Sequence, residues 1–207
     1  YKVTGVQTCA LPILPPPPAL LEAALDRALA AGPLAAVVLV SPSYQGLVGD
    51  LAALIAVAHR RGLPVLVDEA HGAHLGLDPR LGAPALACGA DLVVQSLQKA
   101  AGGLAQSAVL LQGPSSTTAA AAIERALLWL QTSSPSALLL ASAEAALGHL
   151  HSPAGRRQLA RALDRGEALR HRLQRAGFTP LANHDPLRLA LPTGRSEEHT
   201  SELQSPC

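Results

Sequence analysis

The stretch "LPVLVDEAHGAH", from Leu63 to His74, decides the fold that we expect for this chain. Its first half is a continuous apolar run of strand length, which is typical of a strand covered on both faces of a sheet. An aspartate, a glutamate and two histidines follow in a glycine-containing loop. Because open α/β sheets bind their ligands outside the carboxyl ends of the strands, these polar residues are candidates for a functional site.

Strand-like and helix-like segments alternate on either side of this stretch. Strand character covers residues 34–40, 63–68, 90–96 and 106–112. Helical spacing of apolar residues covers residues 19–32, 51–62, 118–131, 136–150 and 155–177. The pattern predicts an α/β protein with a mostly parallel sheet. The alternation in "LRLAL", Leu187 to Leu191, predicts a strand that opens a second, smaller domain.

The two ends of the chain differ from the rest. Val3–Ile13 and Arg195–Ser205 can be encoded by opposite strands of one DNA segment, which we recognise as a common sequencing-library adapter. We therefore interpret residues 1–13 and 195–207 as adapter-derived, with ordinary disordered tails as the alternative, and exclude them from fold reasoning. The chain contains no methionine, so we expect it to be an internal piece of a longer protein.

Composition argues against several classes of protein. Once the two ends are set aside, Cys88 is the one remaining cysteine, which excludes an internal disulfide and fits a reducing cytoplasm. The remaining chain is only mildly basic, so its charge does not suggest a nucleic-acid partner. No apolar run reaches the roughly 18 residues that a membrane-spanning helix needs. We expect a cytoplasmic protein that binds neither nucleic acid nor membrane.

One lysine stands out between Leu14 and Gly194. Every other basic side chain there is Arg or His, the pattern of a GC-rich genome, and the exception is Lys99. Arg can replace Lys on a solvated surface, but a site that needs a primary amine cannot accept it. A surface lysine that escaped the codon bias is the alternative. Lys99 follows the end of a predicted strand, as Asp68 ends another, so the two would converge where a ligand is expected.

The letters Asp-Glu-Ala-His permit three interpretations. A helicase would also need a phosphate-binding loop with a Gly-Lys pair, and no such pair occurs in the chain. A zinc site could begin with His71 and His74, but it needs three or four ligands, and the nearby carboxylates form no recognised pattern, so we expect no metal. In the third, Asp68 and Lys99 act together, as in pyridoxal 5'-phosphate (PLP) enzymes, where a lysine binds the cofactor and a carboxylate pairs with its pyridine nitrogen.

Four segments carry a resemblance to a known family. They are "SPSYQGLVGDL", "PVLVDEAHGAHLG", "GADLVVQSLQKAAGGLAQSAVLL" and "LQTSSPSALLLASAEAA", and together they resemble the Orn/Lys/Arg decarboxylase family. The most specific part is the family's Ser-x-His-Lys pattern with the small residues and glutamine after it. This chain supplies Ser96 and Lys99 but has Gln98 where the family has histidine.

The resemblance implies a fold, a cofactor and an activity. The fold would be PLP-transferase-like, with a three-layer α/β/α large domain and the start of a small C-terminal α+β domain. Residues 14–150 would be part of the PLP-binding large domain, and residues 151–194 a linking helix and the start of the small domain. The longer protein would decarboxylate arginine, lysine or ornithine as a homodimer or higher homo-oligomer. Another PLP enzyme of this fold, or a non-catalytic piece, is the alternative.

The resemblance also implies roles for particular residues. Lys99 would form the Schiff base with PLP and return a proton to the substrate's Cα. Asp68 would pair with the pyridine nitrogen, and Ala70 would pack on the ring face. His71 would reach the cofactor's phenolic oxygen or the substrate carboxylate.

Ser96 and the residue at position 98 would contact the phosphate. Gln98 can donate a hydrogen bond there, but it cannot carry charge as histidine can. We expect the polypeptide by itself to be inactive and poorly folded, because apolar sheet and helix faces would be exposed. The sequence suggests no role for His74.

Overall fold

The computed structural model describes residues 16–192. The two segments that we interpret as adapter-derived, residues 1–13 and 195–207, lie outside the described residues. The helices are α1 (Pro18–Ala31), α2 (Leu51–His59), α3 (Leu97–Ala100), α4 (Ala120–Leu130), α5 (Ala137–His151) and α6 (Pro153–Arg175). The strands are β1 (Val37–Val40), β2 (Val65–Asp68), β3 (Leu92–Ser96) and β4 (Ala108–Gln112).

Local signals in the sequence explain where several helices begin and end. The Asp50 side chain accepts a hydrogen bond from the amide of Ala53 at 3.1 Å and so caps α2. The Ser136 hydroxyl accepts from the amide of Leu139 at 3.4 Å at the start of α5. Gly177, with φ of +87°, follows the end of α6, where a left-handed conformation favours glycine.

The strands form one sheet in the order β1-β2-β3-β4. β1, β2 and β3 run parallel, and β4 runs antiparallel to β3. The prediction of a mostly parallel α/β sheet is therefore confirmed. In this register Asp68 lies beside Val40 on one side and Val94 on the other, at the carboxyl ends of the three parallel strands.

The main core lies on one face of the sheet. Val65, Val67 and Val93 are fully buried there and pack with side chains of α1 and α2. The opposite face is open at the edge of the sheet, since Val38 and Val40 of β1 are each 65% exposed. The continuous apolar run Leu34–Val40 is typical of a strand covered on both faces, but among the described residues β1 is not covered on both. The expected exposed apolar sheet face is present.

The carboxyl-terminal part of the chain differs from its prediction. No strand forms over Leu187–Leu191 among the described residues, so that prediction is wrong. A backbone hydrogen bond from the amide of Leu181 to the carbonyl of Ala190 connects the two sides of this region, and one such bond does not make a ladder. The division at residues 150 and 151 falls next to the break between α5 and α6, and it stays a prediction. No helix in the described range has the length and apolarity to cross a membrane.

Candidate active site

Asp68 begins the site at the carboxyl end of β2. Its Oδ1 accepts a hydrogen bond from the amide of Ala70 at 3.0 Å, which holds the carboxylate over the first turn of the loop. Asp68 forms no salt bridge within the described part of the chain, and it is only partly buried. The loop after β2 therefore presents an anionic oxygen that is available to a ligand.

Lys99 reaches the same site from α3, the short helix that follows β3. Its Nζ lies 3.3 Å from Nε2 of His71. Lys99 is exposed, and among the described residues its amine forms no salt bridge. The structure thus brings together two of the predicted site residues, Lys99 and His71, and Asp68 enters from the strand that leads into the His71 loop.

Arg188 contacts the other side of the His71 ring. Its Nη2 lies 2.5 Å from Nδ1 of His71. The ring of Tyr44 packs edge-on against the same imidazole, with centroids 5.3 Å apart and an interplanar angle of 84°. Burial lowers the pKa of His71 below its ordinary value, and the positive charges of Arg188 and Lys99 lower it further. His71 is therefore held neutral at neutral pH between two cationic side chains.

Arg188 belongs to a docked segment, residues 183–188, that lies against the loop after β1. The amides of His184 and Asp185 both donate to the carbonyl of Gly46, at 3.0 and 3.2 Å. Gly46 has φ of +82°, and a Cβ there would lie 2.9 Å from Cβ of Arg188. Only glycine fits this close approach, so the absence of a side chain at Gly46 allows the docked segment to pack against the loop after β1.

Side-chain hydrogen bonds of Asn183 and Arg170 also hold the docked segment in place. Nδ2 of Asn183 donates to the carbonyls of Gln45 and Arg188, both at 2.7 Å. The Arg170 guanidinium on α6 donates to the carbonyl of Leu181 at 2.8 Å, to Oδ1 of Asn183 at 2.8 Å and to the carbonyl of Arg188 at 3.1 Å. These bonds fix the backbone from which Arg188 extends.

His74 and Asp185 form a buried pair beneath the site. Nε2 of His74 lies 3.0 Å from Oδ2 of Asp185, and the two side chains are 3% and 0% exposed. Burial alone would raise the pKa of Asp185, but the hydrogen bond from His74, its charge and that of Arg188 hold the pKa below the ordinary value. The pair joins the loop after β2 to the docked segment. It also gives His74 the role that the sequence did not suggest.

Glu69 points in the opposite direction from Asp68 and is buried. Its Oε1 accepts from the amide of Ala85 and its Oε2 from Nε2 of Gln95, both at 2.7 Å. Burial raises the pKa of Glu69 above its ordinary value, although these hydrogen bonds act against the shift. Glu69 therefore joins the loop after β2 to Ala85 and to Gln95 of β3, and it takes no direct part in the site.

Ser96 and Gln98 lie near Lys99 in the chain, and among the described residues neither side chain forms a hydrogen bond with its amine. Ser96 precedes α3, and its hydroxyl makes no capping hydrogen bond there. Oε1 of Gln98 accepts from the amide of Gln106 at 2.6 Å, which leaves the Gln98 amino group without a partner in the described range. Both side chains can donate hydrogen bonds to a ligand, and their predicted role at a phosphate stays a prediction.

Sequence reasoning missed Arg188, Asp185 and Asn183. The segment "ANHDP", residues 182–186, is a polar cluster between apolar stretches, and that composition was the available signal. It did not reveal the partners, because His74 and Asp185 are separated by 111 positions along the chain.

A mostly parallel sheet with a lysine and a carboxylate at its carboxyl edge matches PLP-transferase-like proteins. A serine palmitoyltransferase from S. paucimobilis with a bound PLP-myriocin aldimine superimposes with a TM-score of 0.68, at 24% identity, over 88% of this chain and 47% of that chain. The E. coli constitutive lysine decarboxylase superimposes with a TM-score of 0.58, at 22% identity, over 74% of this chain and 22% of that chain. These likenesses define the fold.

The sequence comparison defines the family. The Orn/Lys/Arg decarboxylase major domain matches residues 17–195. This chain therefore belongs to the Orn/Lys/Arg decarboxylase family, as its motifs predicted.

Two curated relatives are similar to this chain over part of their length. The arginine decarboxylase of Halalkalibacterium halodurans is 38% identical over 128 residues, which are 61% of this chain and 26% of the relative. The protein YaaO of Bacillus subtilis is 35% identical over 165 residues, which are 76% of this chain and 34% of the relative. This chain thus spans about a quarter to a third of the length of these curated relatives.

Proposed function

We propose that this chain is part of a PLP-dependent decarboxylase that acts on a basic amino acid and releases CO2 and a polyamine-type amine. The observation that carries the proposal is the position of Lys99, whose amine lies 3.3 Å from His71 at the carboxyl edge of the sheet. The family assignment and the similarity to the arginine decarboxylase of Halalkalibacterium halodurans support the reaction. We name arginine as the first substrate to test, with lysine and ornithine as the other candidates.

The chemistry of the donor set fits PLP. Lys99 offers a primary amine for the cofactor's aldehyde, and Asp68 offers a carboxylate without an ion-pair partner in the described range for the ring nitrogen. Ser96 and Gln98 offer hydrogen-bond donors for the phosphate. When bound, PLP supplies an electron sink for the carbanion that remains after CO2 leaves.

The side chains of the protein would bind and orient the cofactor and transfer protons. Asp68 would keep a negative charge against the pyridine nitrogen, and the small side chain of Ala70 would allow the ring to lie close to the loop. His71 would donate a hydrogen bond to the cofactor's phenolic oxygen or to the substrate carboxylate. Lys99 would return a proton to Cα after decarboxylation, since an amine at the reacting centre can act as a general acid.

We also propose that the full-length protein is a homodimer or a higher homo-oligomer. The end of α4 supports this assembly, because Leu128, Trp129 and Leu130 are 81%, 85% and 85% exposed. Contiguous exposed apolar side chains of this kind are typical of interaction surfaces. Light scattering of the full-length protein measures the assembly directly, and a monomer at micromolar concentration would contradict it.

The cofactor assignment is tested by absorbance spectroscopy on the full-length protein with added PLP. We expect a visible band from lysine-bound PLP that is absent in Lys99→Ala. A band of equal intensity in Lys99→Ala would remove Lys99 from its role. Arg61→Ala is a suitable control, because Arg61 pairs with Glu22 and Asp26 on α1, away from the site, and should leave the band unchanged.

The reaction is tested by product analysis. Incubation with arginine, lysine and ornithine should release CO2 and the corresponding amine from one of them. Release of a keto acid instead would assign the protein to transamination, the near alternative within this fold.

A further inference from the structure

We propose that Arg188 is a positioning residue that fixes the tautomer of His71, so that His71 directs its Nε2–H towards the amine of Lys99. The inference deepens the proposed function and rests on it only for the catalytic consequence. The tautomer itself is a property of the protein without cofactor or substrate.

The first step is the chemistry of the arginine contact. A guanidinium group carries hydrogen-bond donors and no acceptor. Nη2 of Arg188 lies 2.5 Å from Nδ1 of His71, so Nδ1 must accept this hydrogen bond through its lone pair. A neutral imidazole has one protonated nitrogen, and here that nitrogen is Nε2.

The second step concerns what Nε2 faces. Nζ of Lys99 lies 3.3 Å from Nε2 of His71. With its proton on Nε2, His71 cannot accept a hydrogen bond from the Lys99 ammonium, and it donates to Nζ only when that group has lost its proton. That amine form is also the one that can bond to an aldehyde. Arg188 therefore acts on Lys99 through His71, without touching Lys99.

The third step is the anchoring of Arg188. Asp185 lies below it, with Oδ2 4.0 Å from Nε of Arg188, and the same oxygen is 3.0 Å from His74. The carbonyl of Arg188 accepts from both Asn183 and Arg170. Because both its charge and its backbone are held, the guanidinium is pre-organised against His71.

Several charged and polar groups act on the titration of His71. They are Lys99 of α3, Asp68 of β2, and Asp185 and Arg188 of the docked segment. The ring of Tyr44, from the loop after β1, packs against the same imidazole. Arg188 and Lys99 disfavour the imidazolium, whereas the two aspartates favour it. Removal of Arg188 should therefore make His71 easier to protonate.

The direct test is nitrogen-15 NMR of histidine-labelled full-length protein without PLP, with the His71 signals assigned by their loss in His71→Asn. In the wild type we expect Nδ1 to be the bare nitrogen and Nε2 the protonated one. In Arg188→Met we expect a mixture of tautomers and a titration midpoint at higher pH. Arg188→Lys, which keeps a charge and a donor, should restore much of the wild-type behaviour.

A second readout uses the active enzyme. In Arg188→Met we expect the acid limb of the kcat profile to move to higher pH and kcat to fall by about tenfold to a hundredfold, the size of effect that misplacement of a catalytic group produces. Arg60→Met is the matched control, since it removes a guanidinium that pairs with Glu22 far from His71. Circular dichroism establishes that the variants are folded.

Two results would overturn the inference. One is a predominant Nδ1–H tautomer of His71 in the wild type. The other is a folded Arg188→Met protein with the wild-type tautomer and midpoint. The expected tautomer in a protein that binds no PLP or releases no CO2 would leave the inference standing and remove only the proposed function.

Discussion

The loop after β2 contains two sets of side chains with opposite surroundings. The outward set is Asp68, Ala70 and His71, which are partly buried, and His71 contacts Lys99. The inward set is Glu69 and His74, which are 1% and 2% exposed. Neighbouring residues of one short stretch thus divide between a site that can meet a ligand and a buried network that holds the loop in place.

The comparison shows that residue type alone does not assign a role. His71 and His74 lie in one H-x-x-H stretch, yet the first lies between two cationic groups and the second is paired with a carboxylate. The two imidazoles therefore have different roles, because their partners carry opposite charges. The outward histidine stays neutral and can donate at the site, and the inward one joins two segments of the chain.

The largest expected effect comes from the outward side. Lys99→Arg keeps the positive charge but removes the primary amine, so we expect kcat/KM for decarboxylation to fall by roughly a thousandfold or more. The melting temperature should stay close to that of the wild type, because Lys99 is exposed and makes few contacts. Substantial turnover by Lys99→Arg would show that the reaction does not use this amine.

The inward side should affect stability instead. Asp185→Ala leaves His74 buried without its carboxylate and releases Arg188, so we expect the free energy of unfolding to fall by about 3 kcal/mol or more. Urea unfolding measures the loss. Asp164→Ala is the matched control, because its ion pair with Arg80 is solvated and should stabilise little. Equal losses of unfolding free energy in the two variants would show that the buried His74–Asp185 pair stabilises the protein no more than the solvated Arg80–Asp164 pair.

The two buried carboxylates should respond to pH with opposite signs. The pKa of Asp185 is lowered from 3.8, so its stabilising contribution is present above that pH and is lost as the pH falls further. The pKa of Glu69 is raised from 4.5, so its contribution is fully present below that pH and is lost as the pH rises through the folded-state value.

Comparison with two isosteric variants isolates these contributions. The stability difference between wild type and Asp185→Asn should grow as the pH rises through 3.8. The difference between wild type and Glu69→Gln should shrink as the pH rises above 4.5. Urea unfolding across this range measures both, and slopes of the same sign would contradict the assigned surroundings.

The sequence predicted most of the sheet and only part of the site. Apolar runs are local signals, so each of the four strands falls inside its predicted range. The approach of Lys99 to the loop after β2 could be expected, because both follow the ends of neighbouring strands. Their functional roles stay predictions.

The inward network was not predictable in the same way. The Asp185 and Arg188 contacts join residues far apart in the chain, at 111 positions for His74 to Asp185 and 117 for His71 to Arg188. The alternation in "LRLAL" led to a wrong strand prediction, since strand formation also requires a partner edge with a matching ladder. The partners of side chains that point inward from a loop depend on which distant segment packs against that loop. The local sequence pattern around the loop does not identify that segment.

The smallest expected effect tests whether the outward set needs support from the loop after β1. Tyr44 packs edge-on against His71 but is itself 72% exposed, so its ring restricts the imidazole while burying little surface. An aromatic pair of this geometry contributes about 0.5 kcal/mol at its weaker end. We therefore expect Tyr44→Leu to change kcat/KM by about twofold, the equivalent of that energy. Tyr44→Phe keeps the ring and should match the wild type. A loss in Tyr44→Phe as large as in Tyr44→Leu would mean that the hydroxyl, rather than the ring edge, acts at the site.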